Sequence, residues 1–378
     1  MSSWRLTVQP YAVPLRRPLE TAYGSTTLRR GALVSLIAPD GTIGHGELAC
    51  LPQQPVRYLQ DALQLLAACA FDLHNGTPPE TILNHWARWD EAGTAARAAL
   101  ETALLDLRAR QYGCSLAELL TPTPRPSIAV NAVITASDCD ATATAAAAAR
   151  DAGYRVIKLK VGMAARAEEE IARVAAVRAA IGPDIALRLD ANGAWTPEQA
   201  ITMLRRLADY NLALVEQPVP AWDIEGLARV RRSVSVPIAA DEAVTSREAV
   251  EQLCVAEAVD ALVLKLPVVG GITVAHALAE LAARHQCAIV VTSVFEAGIG
   301  LAAAMHTAAA VPGELLACGL ATASSLVTTL VTGLPEPVHG QLAIPHDEPG
   351  LGVALDKEAL RFCADLMEDR HAITHASD

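Results

Sequence analysis

Charged residues recur at one fixed place in a repeating unit between Val156 and Glu296, and this repeat limits the fold more than any other feature. The steps between the last four terminal charges are 26, 25 and 24 residues, each the length of one strand plus one helix. Such alternation predicts a parallel sheet. In a closed β/α barrel the carboxyl ends of the strands meet at one face, so the charges are predicted to converge there. The apolar segments that carry these charges are residues 156–160, 186–190, 212–216, 237–241 and 261–265.

Three of the terminal charges are acids, Asp190, Glu216 and Asp241, on successive predicted strands. Carboxylates are hard oxygen ligands of the kind that Mg²⁺ favours, and no His or Cys accompanies them, which argues against zinc and copper. The alternative is that these acids cap barrel helices or pair with surface bases. For one acid alone that explanation would be preferred, but three acids at matching strand ends favour a metal site.

Three lysines flank the acids. Lys158 and Lys160 lie two residues apart on one predicted strand and therefore face the same side. Because lysine is almost never buried unpaired, we expect both near the carboxylates at the barrel mouth, with Lys265 approaching from the opposite side. Structural lysines that bridge carboxylates are the alternative, which is strongest for Lys158. A divalent metal and a lysine base together suit the removal of a proton α to a carboxylate.

A proline-punctuated connector, Thr121-Pro-Thr-Pro-Arg-Pro126, divides the chain. Strand patterns over residues 4–50 and helical patterns over residues 56–73, 79–89 and 94–111 precede it. We expect the loop Tyr23-Gly24-Ser25 to close over the barrel mouth. The predicted parts are an α+β domain over 1–125, the barrel over 126–334, a segment over 335–370 that returns to the first domain, and a disordered tail over 371–378.

Composition excludes several classes of partner. A formal net charge of −12 gives no electrostatic footprint for nucleic acid or acidic membranes. No apolar run reaches the ~18 residues needed to span a bilayer, and the N-terminus has no targeting pattern. Eight scattered cysteines without a Cys-x-x-Cys pair indicate free thiols in a reducing compartment. We therefore expect a soluble, cytoplasmic protein whose partner is a small molecule, and the sequence is compatible with a homo-oligomer.

Four motifs resemble the enolase superfamily, in particular its muconate-lactonizing branch. The implied fold is α/β: a modified TIM-type (β/α)7β barrel with an α+β capping domain built from the N-terminal region and the C-terminal segment. The implied cofactor is Mg²⁺, with Mn²⁺ as an acceptable substitute, and the implied substrate is a small carboxylate. The motifs are Lys-Leu-Lys at 158–160, Leu-Asp-Ala-Asn-Gly-Ala-Trp at 189–195, Glu-Gln-Pro at 216–218 and Ala-Asp-Glu-Ala at 240–243.

Within that branch, four further segments are similar to the o-succinylbenzoate synthases, which dehydrate 2-succinyl-6-hydroxy-2,4-cyclohexadiene-1-carboxylate in menaquinone synthesis. This resemblance implies a hydro-lyase in which Lys160 removes the α-proton and Lys265 stabilises the enediolate. It further implies that Lys158, Asn192, Ser293 and Glu296 bind substrate or orient the metal ligands. The segments are Pro14-Leu-Arg-Arg-Pro-Leu19, Ile43-Gly-His-Gly-Glu-Leu48, Thr292-Ser-Val-Phe-Glu-Ala-Gly-Ile-Gly300 and Cys318-Gly-Leu-Ala-Thr322.

Other functions remain open at this point. N-succinylamino acid racemases use the same two lysines, and another epimerase of the branch is also compatible. No His follows the seventh strand as in the mandelate racemase branch. The eighth strand, Leu316-Ala-Cys-Gly-Leu320, lacks the Asp-x-Asp pair of dipeptide epimerases. A catalytically inactive barrel retained as a binding scaffold is disfavoured by the retention of three acids and three lysines.

Overall fold

The N-terminal part of the chain forms an antiparallel sheet with helices packed on it. The computed structural model describes residues 3–21, 24–86, 91–136, 138–164, 166–346 and 348–374. The buried side chains of this part form a core of their own, in which Leu36, Leu66 and Leu100 are fully buried. Its elements are β1 (Arg5–Thr21), β2 (Gly24–Ile37), β3 (Ile43–Ala49), α1 (Val56–His74), α2 (Pro79–His85), α3 (Glu91–Tyr112) and α4 (Leu116–Leu120).

The polar stretch at residues 21–27 is mostly strand, although its composition predicts a loop. Thr21 pairs with Gly24 and Leu19 with Thr26, so β1 and β2 continue almost to the tip of their hairpin. Pairing between β1 and β2 satisfies backbone N–H and C=O groups that would be exposed to water in a loop. Ala22 and Tyr23 lie outside the described residues, so closure of this tip over the barrel stays a prediction.

Seven parallel strands follow, and the five that carry the charge repeat lie in the predicted order. Each strand pairs with the next along the chain, from β5 to β11. The inner face of this sheet holds small apolar side chains, among them Ala239, Ala261 and Val263. The strands are β5 (Ala132–Ile134), β6 (Val156–Lys160), β7 (Ala186–Asp190), β8 (Leu212–Glu216), β9 (Ile238–Ala240), β10 (Ala261–Leu264) and β11 (Ala288–Val291), preceded by β4 (Ser127–Ala129).

Helices between the strands bury one face against the sheet. On α6, Val174, Val177 and Ile181 are buried at helical spacing, as the sequence predicts. Among the described residues, no helix is long and apolar enough to cross a membrane. The helices are α5 (Cys139–Asp151), α6 (Ala167–Ile181), α7 (Pro197–Arg206), α8 (Ile224–Ser233), α9 (Arg247–Val255), α10 (Leu266–Val269), α11 (Ile272–Arg284) and α12 (Ile299–Ala310).

An irregular eighth segment, residues 315–319, closes the barrel. Gly319 bridges to Thr292 beyond β11, and Cys318 bridges to Val130 just before β5. Arg188 of β7 reaches across the interior and donates a hydrogen bond to the Ala317 carbonyl at 2.8 Å. The apolar pattern predicts a first barrel strand over residues 128–134, but the strand is shorter, because residues 127–129 pair antiparallel with residues 341–343 rather than with the barrel sheet. The resulting fold is a (β/α)7β barrel with an α+β N-terminal domain.

The C-terminal segment leads back to the N-terminal domain. Its last helix, α13, packs against β1, and Met367 joins the core of that domain. The helix extends to Thr374, although the disordered tail was predicted to begin at His371. No Gly or Pro interrupts the sequence there, and an established helix extends at low cost. Residues 375–378 lie outside the described residues. The segment contains β12 (Val331–Thr332), β13 (Gln341–Ala343), β14 (Ala354–Leu355) and α13 (Lys357–Thr374).

Candidate metal centre and active site

The carboxyl ends of β7, β8 and β9 bring three acids together. Asp190 and Glu216 are paired residues at the ends of adjacent strands, and Asp241 directly follows β9. One ligand oxygen from each of the three lies within 4.8 Å of the others. All three side chains are buried, with at most 5% of any residue exposed. The cluster stands at the catalytic face of the barrel, where the sequence repeat predicts it.

Three lysines surround the carboxylate cluster. Lys158 Nζ lies 3.0 Å from Asp190 Oδ2 and 3.0 Å from Glu216 Oε1, so it bridges two of the acids. Lys160 Nζ lies 2.6 Å from Asp190 Oδ2, and Lys265 Nζ lies 2.6 Å from Asp241 Oδ1. In the strand order, β6 and β10 are four positions apart. Lys160 and Lys265 therefore flank the cluster from opposite sides of the barrel.

Burial and mutual repulsion shape the protonation of the acids. Burial, reinforced by repulsion from Asp190 and Asp241, raises the pKa of Glu216 to about 8. Burial opposes ionisation of Asp190 as well, but attraction to Lys158 and Lys160 outweighs it and lowers the pKa of Asp190. Burial also opposes charge on Lys158, yet Asp190 and Glu216 raise its pKa above the usual value. Among these acids, Glu216 is therefore the one whose negative charge the neighbouring lysines compensate least.

These residues fit a divalent cation. Asp241 Oδ1 is buried and accepts no hydrogen bond from any described residue, although Lys265 Nζ is close to it. Besides its 2.6 Å ion pair with Lys265 Nζ, that oxygen therefore has lone-pair capacity for a metal cation. Positive charge between the three acids would offset the repulsion that raises the pKa of Glu216. The oxygen-only ligand set suits Mg²⁺.

Asn192 connects Lys160 to a fourth carboxylate that the sequence prediction missed. Lys160 Nζ donates to Asn192 Oδ1 at 2.8 Å, and Asn192 Nδ2 donates to Glu242 Oε1 at 2.8 Å. Glu242 thus sets the amide orientation, with the Asn192 oxygen toward the lysine. Burial, followed by repulsion from Asp241, raises the pKa of Glu242. The available signal was its position next to Asp241 in the Ala-Asp-Glu-Ala motif.

Gln217 is a second residue whose role the sequence prediction missed. Its Oε1 accepts hydrogen bonds from the backbone N–H groups of Asp241 at 2.9 Å and Ala243 at 3.2 Å. The side chain is fully buried, and its backbone has a φ of 40°, which is uncommon for a residue with a side chain. Gln217 therefore connects the ends of β8 and β9 and orients Asp241. The signal was the Glu-Gln-Pro motif, in which only the glutamate was assigned a role.

Ser293 and Glu296 lie in the loop after β11. Ser293 Oγ donates to Glu296 Oε2 at 2.5 Å, and the Val294 N–H donates to the same oxygen at 2.8 Å. Thr322, beyond the eighth segment, donates to Ser293 Oγ at 3.0 Å. The side chains of Ser293 and Glu296 are buried, and the two hydrogen bonds that Glu296 accepts stabilise the loop. The prediction that these two residues bind substrate or orient the metal ligands stays a prediction.

The fold and the site define a class: barrel enzymes with a capping domain and an acidic metal centre flanked by lysines. Residues 4–121 match the mandelate racemase/muconate lactonizing enzyme N-terminal domain, and residues 140–359 match the enolase C-terminal domain-like family. The chain belongs to the mandelate racemase/muconate lactonizing enzyme family of the enolase superfamily. Members of this superfamily use Mg²⁺.

Individual relatives in this family differ in the reaction they catalyse. An o-succinylbenzoate synthase from Thermobifida fusca is 40% identical over 232 residues, which cover 60% of this chain and 70% of the relative. An L-Ala-D/L-Glu epimerase from Clostridium acetobutylicum is 30% identical over 304 residues, 79% of this chain and 84% of the relative. The crystal structure of an N-succinyl Arg/Lys racemase from Bacillus cereus superimposes with a TM-score of 0.87 at 26% identity, covering 96% of this chain and 98% of the racemase. These relatives support metal-assisted chemistry on small carboxylates without distinguishing its outcome.

Proposed function

We propose that this protein is an o-succinylbenzoate synthase. It would dehydrate 2-succinyl-6-hydroxy-2,4-cyclohexadiene-1-carboxylate to o-succinylbenzoate, a hydro-lyase step of menaquinone synthesis in the cytoplasm. The observation that carries the proposal is the placement of Lys160 and Lys265 on opposite sides of one buried carboxylate cluster. A planar enediolate between these lysines would have a base on one face and a cation on the other.

Lys160 is the proposed base. As the neutral amine it takes the α-proton, and the electrons of that C–H bond pass into the carboxylate to form the enediolate. The enediolate then collapses, the C–O bond to the ring hydroxyl breaks, and the ammonium of Lys160 returns the proton to the departing oxygen. The products are one water molecule and the aromatic ring, so atoms and electrons balance. Asn192 holds the amine in place through its 2.8 Å hydrogen bond.

Lys265 and Lys158 have different proposed roles. Lys265 remains an ammonium, because burial is outweighed by attraction to Asp241 and its pKa is raised. It stabilises the enediolate electrostatically, a contribution of roughly 2.7–4 kcal/mol for one such donor. Lys158 bridges Asp190 and Glu216 and keeps their oxygens oriented. Asp190, Glu216 and Asp241 would hold Mg²⁺, which when bound neutralises the second negative charge that develops on the substrate carboxylate.

Dehydration is favoured over epimerisation by the eighth segment. Residues 315–320 carry no acid, whereas dipeptide epimerases place an Asp-x-Asp pair there to hold the substrate ammonium. The 40% identical synthase supports the same choice. Racemisation of N-succinyl amino acids is the second candidate, favoured by the presence of a lysine on each face.

The test is a comparison of two substrates with the purified protein and Mg²⁺. We expect turnover of the cyclohexadiene carboxylate, measured as the ultraviolet absorbance of the aromatic product. Circular dichroism of N-succinyl amino acids measures racemisation in parallel. Rapid racemisation without dehydration would show that the second candidate is correct, and turnover of neither substrate would reject both.

A further inference from the structure

We propose that Glu47 and Arg29 of the N-terminal domain are positioning residues, which hold the loop after β11 as one wall of the substrate site. The proposal rests on the function proposed above, because it assigns this loop a part in binding the same substrate. Glu47 lies on β3 and Arg29 on β2, and each is only 5% exposed. Both contact the segment 294–300 of the barrel through its backbone.

Glu47 caps the start of α12 from another domain. Its Oε1 accepts hydrogen bonds from the Ala297 N–H at 2.5 Å and from the Tyr11 hydroxyl at 2.6 Å. Its Oε2 accepts the Gly300 N–H at 2.8 Å. The residue at the start of this helix is Gly298, which has no side chain to serve as a cap. Glu47 therefore accepts the Gly300 N–H in the first turn of α12, whose N-cap glycine provides no side-chain acceptor.

Arg29 binds the carbonyl groups just before this helix. Its Nη2 donates to the Val294 carbonyl at 2.9 Å and to the Cys50 carbonyl at 2.5 Å, and its Nε donates to the Phe295 carbonyl at 3.4 Å. Phe295 has a φ of 65°, a strained conformation for a bulky side chain. A strained residue keeps its conformation only where neighbours fix it on both sides, and Arg29 and Glu47 provide those contacts.

The same loop carries Ser293, whose hydroxyl accepts the Phe295 N–H at 2.7 Å. A shift of Phe295 would therefore move Ser293 and its partner Thr322 at the barrel mouth. Lys160, Lys265 and the metal-binding acids stand on other strands with contacts of their own. Disturbing the loop should weaken substrate binding more than the proton transfer, so KM should rise more than kcat falls.

The experiment uses Glu47→Gln in the full-length protein with Mg²⁺. The amide keeps the shape but turns an N–H₂ group toward one of the backbone donors, leaving that donor unpaired. We expect faster hydrogen exchange in residues 294–300 and a fall in kcat/KM on the order of 10²-fold, carried mainly by KM. Tyr11→Phe, which removes one donor and keeps both backbone contacts, should have a much smaller effect.

Asp106→Asn is the matched control. Asp106 is an equally buried carboxylate that accepts the His45 N–H on the same strand as Glu47, but its other backbone contact is the Leu351 N–H. This variant should leave KM and exchange in 294–300 unchanged. Equal KM increases in both variants would reduce the effect to general destabilisation and overturn the proposal.

Hydrogen exchange separates this proposal from the proposed function. If the wild-type protein converts neither the cyclohexadiene carboxylate nor N-succinyl amino acids, the proposed function fails, and exchange alone then decides the positioning claim. Unchanged exchange in 294–300 after Glu47→Gln would overturn the claim. Faster exchange with unchanged KM on a converted substrate would show that the loop is held but is not part of the substrate site, and would also overturn it.

Discussion

The helices on the two sides of the barrel begin in different ways. The helices that follow the three acid-bearing strands are capped by their own residues: Thr196 on α7, Asp223 on α8 and Ser246 on α9 each accept a backbone N–H of the first turn. Helices α11 and α12, which lie beyond Lys265 and Ser293 in the chain, begin at Gly271 and Gly298, without a side-chain cap. Glutamates of the N-terminal domain, Glu101 and Glu47, accept N–H groups there instead.

This difference shows that the N-terminal domain contacts the backbone at the start of the two helices beyond Lys265 and Ser293. At Gly271 the φ is 125°, and a Cβ would lie 2.1 Å from the Glu101 carboxylate. Glycine is therefore required where the carboxylate enters. The helices after the three acid-bearing strands are capped by side chains close to them in sequence. The starts of α11 and α12 depend instead on hydrogen bonds to the N-terminal domain. Removal of the metal ion and substitutions on both sides of the barrel test that division.

Removal of the metal ion by a chelator tests the acid cluster at the ends of β7, β8 and β9. Excess EDTA should abolish turnover, and added Mg²⁺ should restore it, because Asp190, Glu216 and Asp241 supply only oxygen ligands. Glu216→Gln, nearly isosteric, should reduce activity far more than stability. Activity assays and urea unfolding measure the two effects. Full activity in excess chelator would contradict the metal site.

Lys160→Ala should reduce turnover by about 10²–10⁴-fold, the usual contribution of a general base. The loss should include α-proton exchange with D₂O, followed by proton NMR of the substrate. Retention of that exchange would show that another group is the base.

Lys265→Ala should cost about 10²–10³-fold in turnover, because it removes charge stabilisation from the enediolate. Exchange of the α-proton through Lys160 should persist in D₂O. If instead Lys265→Ala loses exchange and Lys160→Ala keeps it, the two roles are reversed.

Acid should weaken the contact between α12 and the N-terminal domain at His306. Its Nδ1 accepts the Ala117 N–H at 3.2 Å, and its Nε2 faces the Leu351 carbonyl at 3.1 Å, so the neutral ring fits. Burial lowers the pKa of His306 from 6.5 to about 4, with His346 opposing and Glu118 favouring the charge. Between pH 6.5 and pH 4 the folded state binds fewer protons than the unfolded state. The stabilisation that the neutral His306 ring contributes is therefore complete above pH 6.5 and is lost as the pH falls toward 4.

Protonation of His306 should lower the free energy of unfolding by about 3 kcal/mol at most. Urea unfolding of the wild-type protein across this pH range measures it. His306→Asn keeps an acceptor for the Ala117 N–H and should flatten the pH dependence. An equally steep dependence in that variant would assign the effect to other groups.

The smallest effects distinguish the two kinds of cap. Glu101 accepts the Thr273 N–H at 3.1 Å and pairs with Arg97, so Glu101→Ala should destabilise by about 1–3 kcal/mol, since it leaves buried partners unpaired. Thr196→Ala removes a local cap and should cost about 1 kcal/mol. Only Glu101→Ala should also loosen the start of α11 in hydrogen exchange. Equally faster hydrogen exchange at the start of α11 in both variants would show that local caps and caps from the N-terminal domain do not differ in this way.

Much of the fold and the metal centre was predictable from the sequence. The strand-to-strand spacing predicts that Asp190, Glu216 and Asp241 meet, and the structure places them together. The sequence Thr196-Pro-Glu-Gln199 predicts a capping box at the start of α7, and the structure confirms it. The sequence Thr245-Ser-Arg-Glu248 predicts a second cap at Thr245, which is wrong by one residue, because Ser246 accepts the N–H of the first turn. Both hydroxyls offer similar local chemistry, so only the angle at which the chain enters α9 selects between them.

The barrel, the acids at its strand ends and the side-chain caps of α7, α8 and α9 follow from local sequence, because each depends on residues within one repeat of each other. Tertiary structure decided what crosses between repeats and domains. Glu242 reaches Asn192 from 50 positions away, and Glu47 reaches Ala297 from 250 positions away. The partners of these carboxylates are backbone groups or amides that any sequence contains, so the local pattern does not show which distant group each carboxylate contacts. Packing of the N-terminal domain against α10 and α12 brings Glu47 within hydrogen-bonding distance of Ala297, and the barrel sheet brings Glu242 beside Asn192.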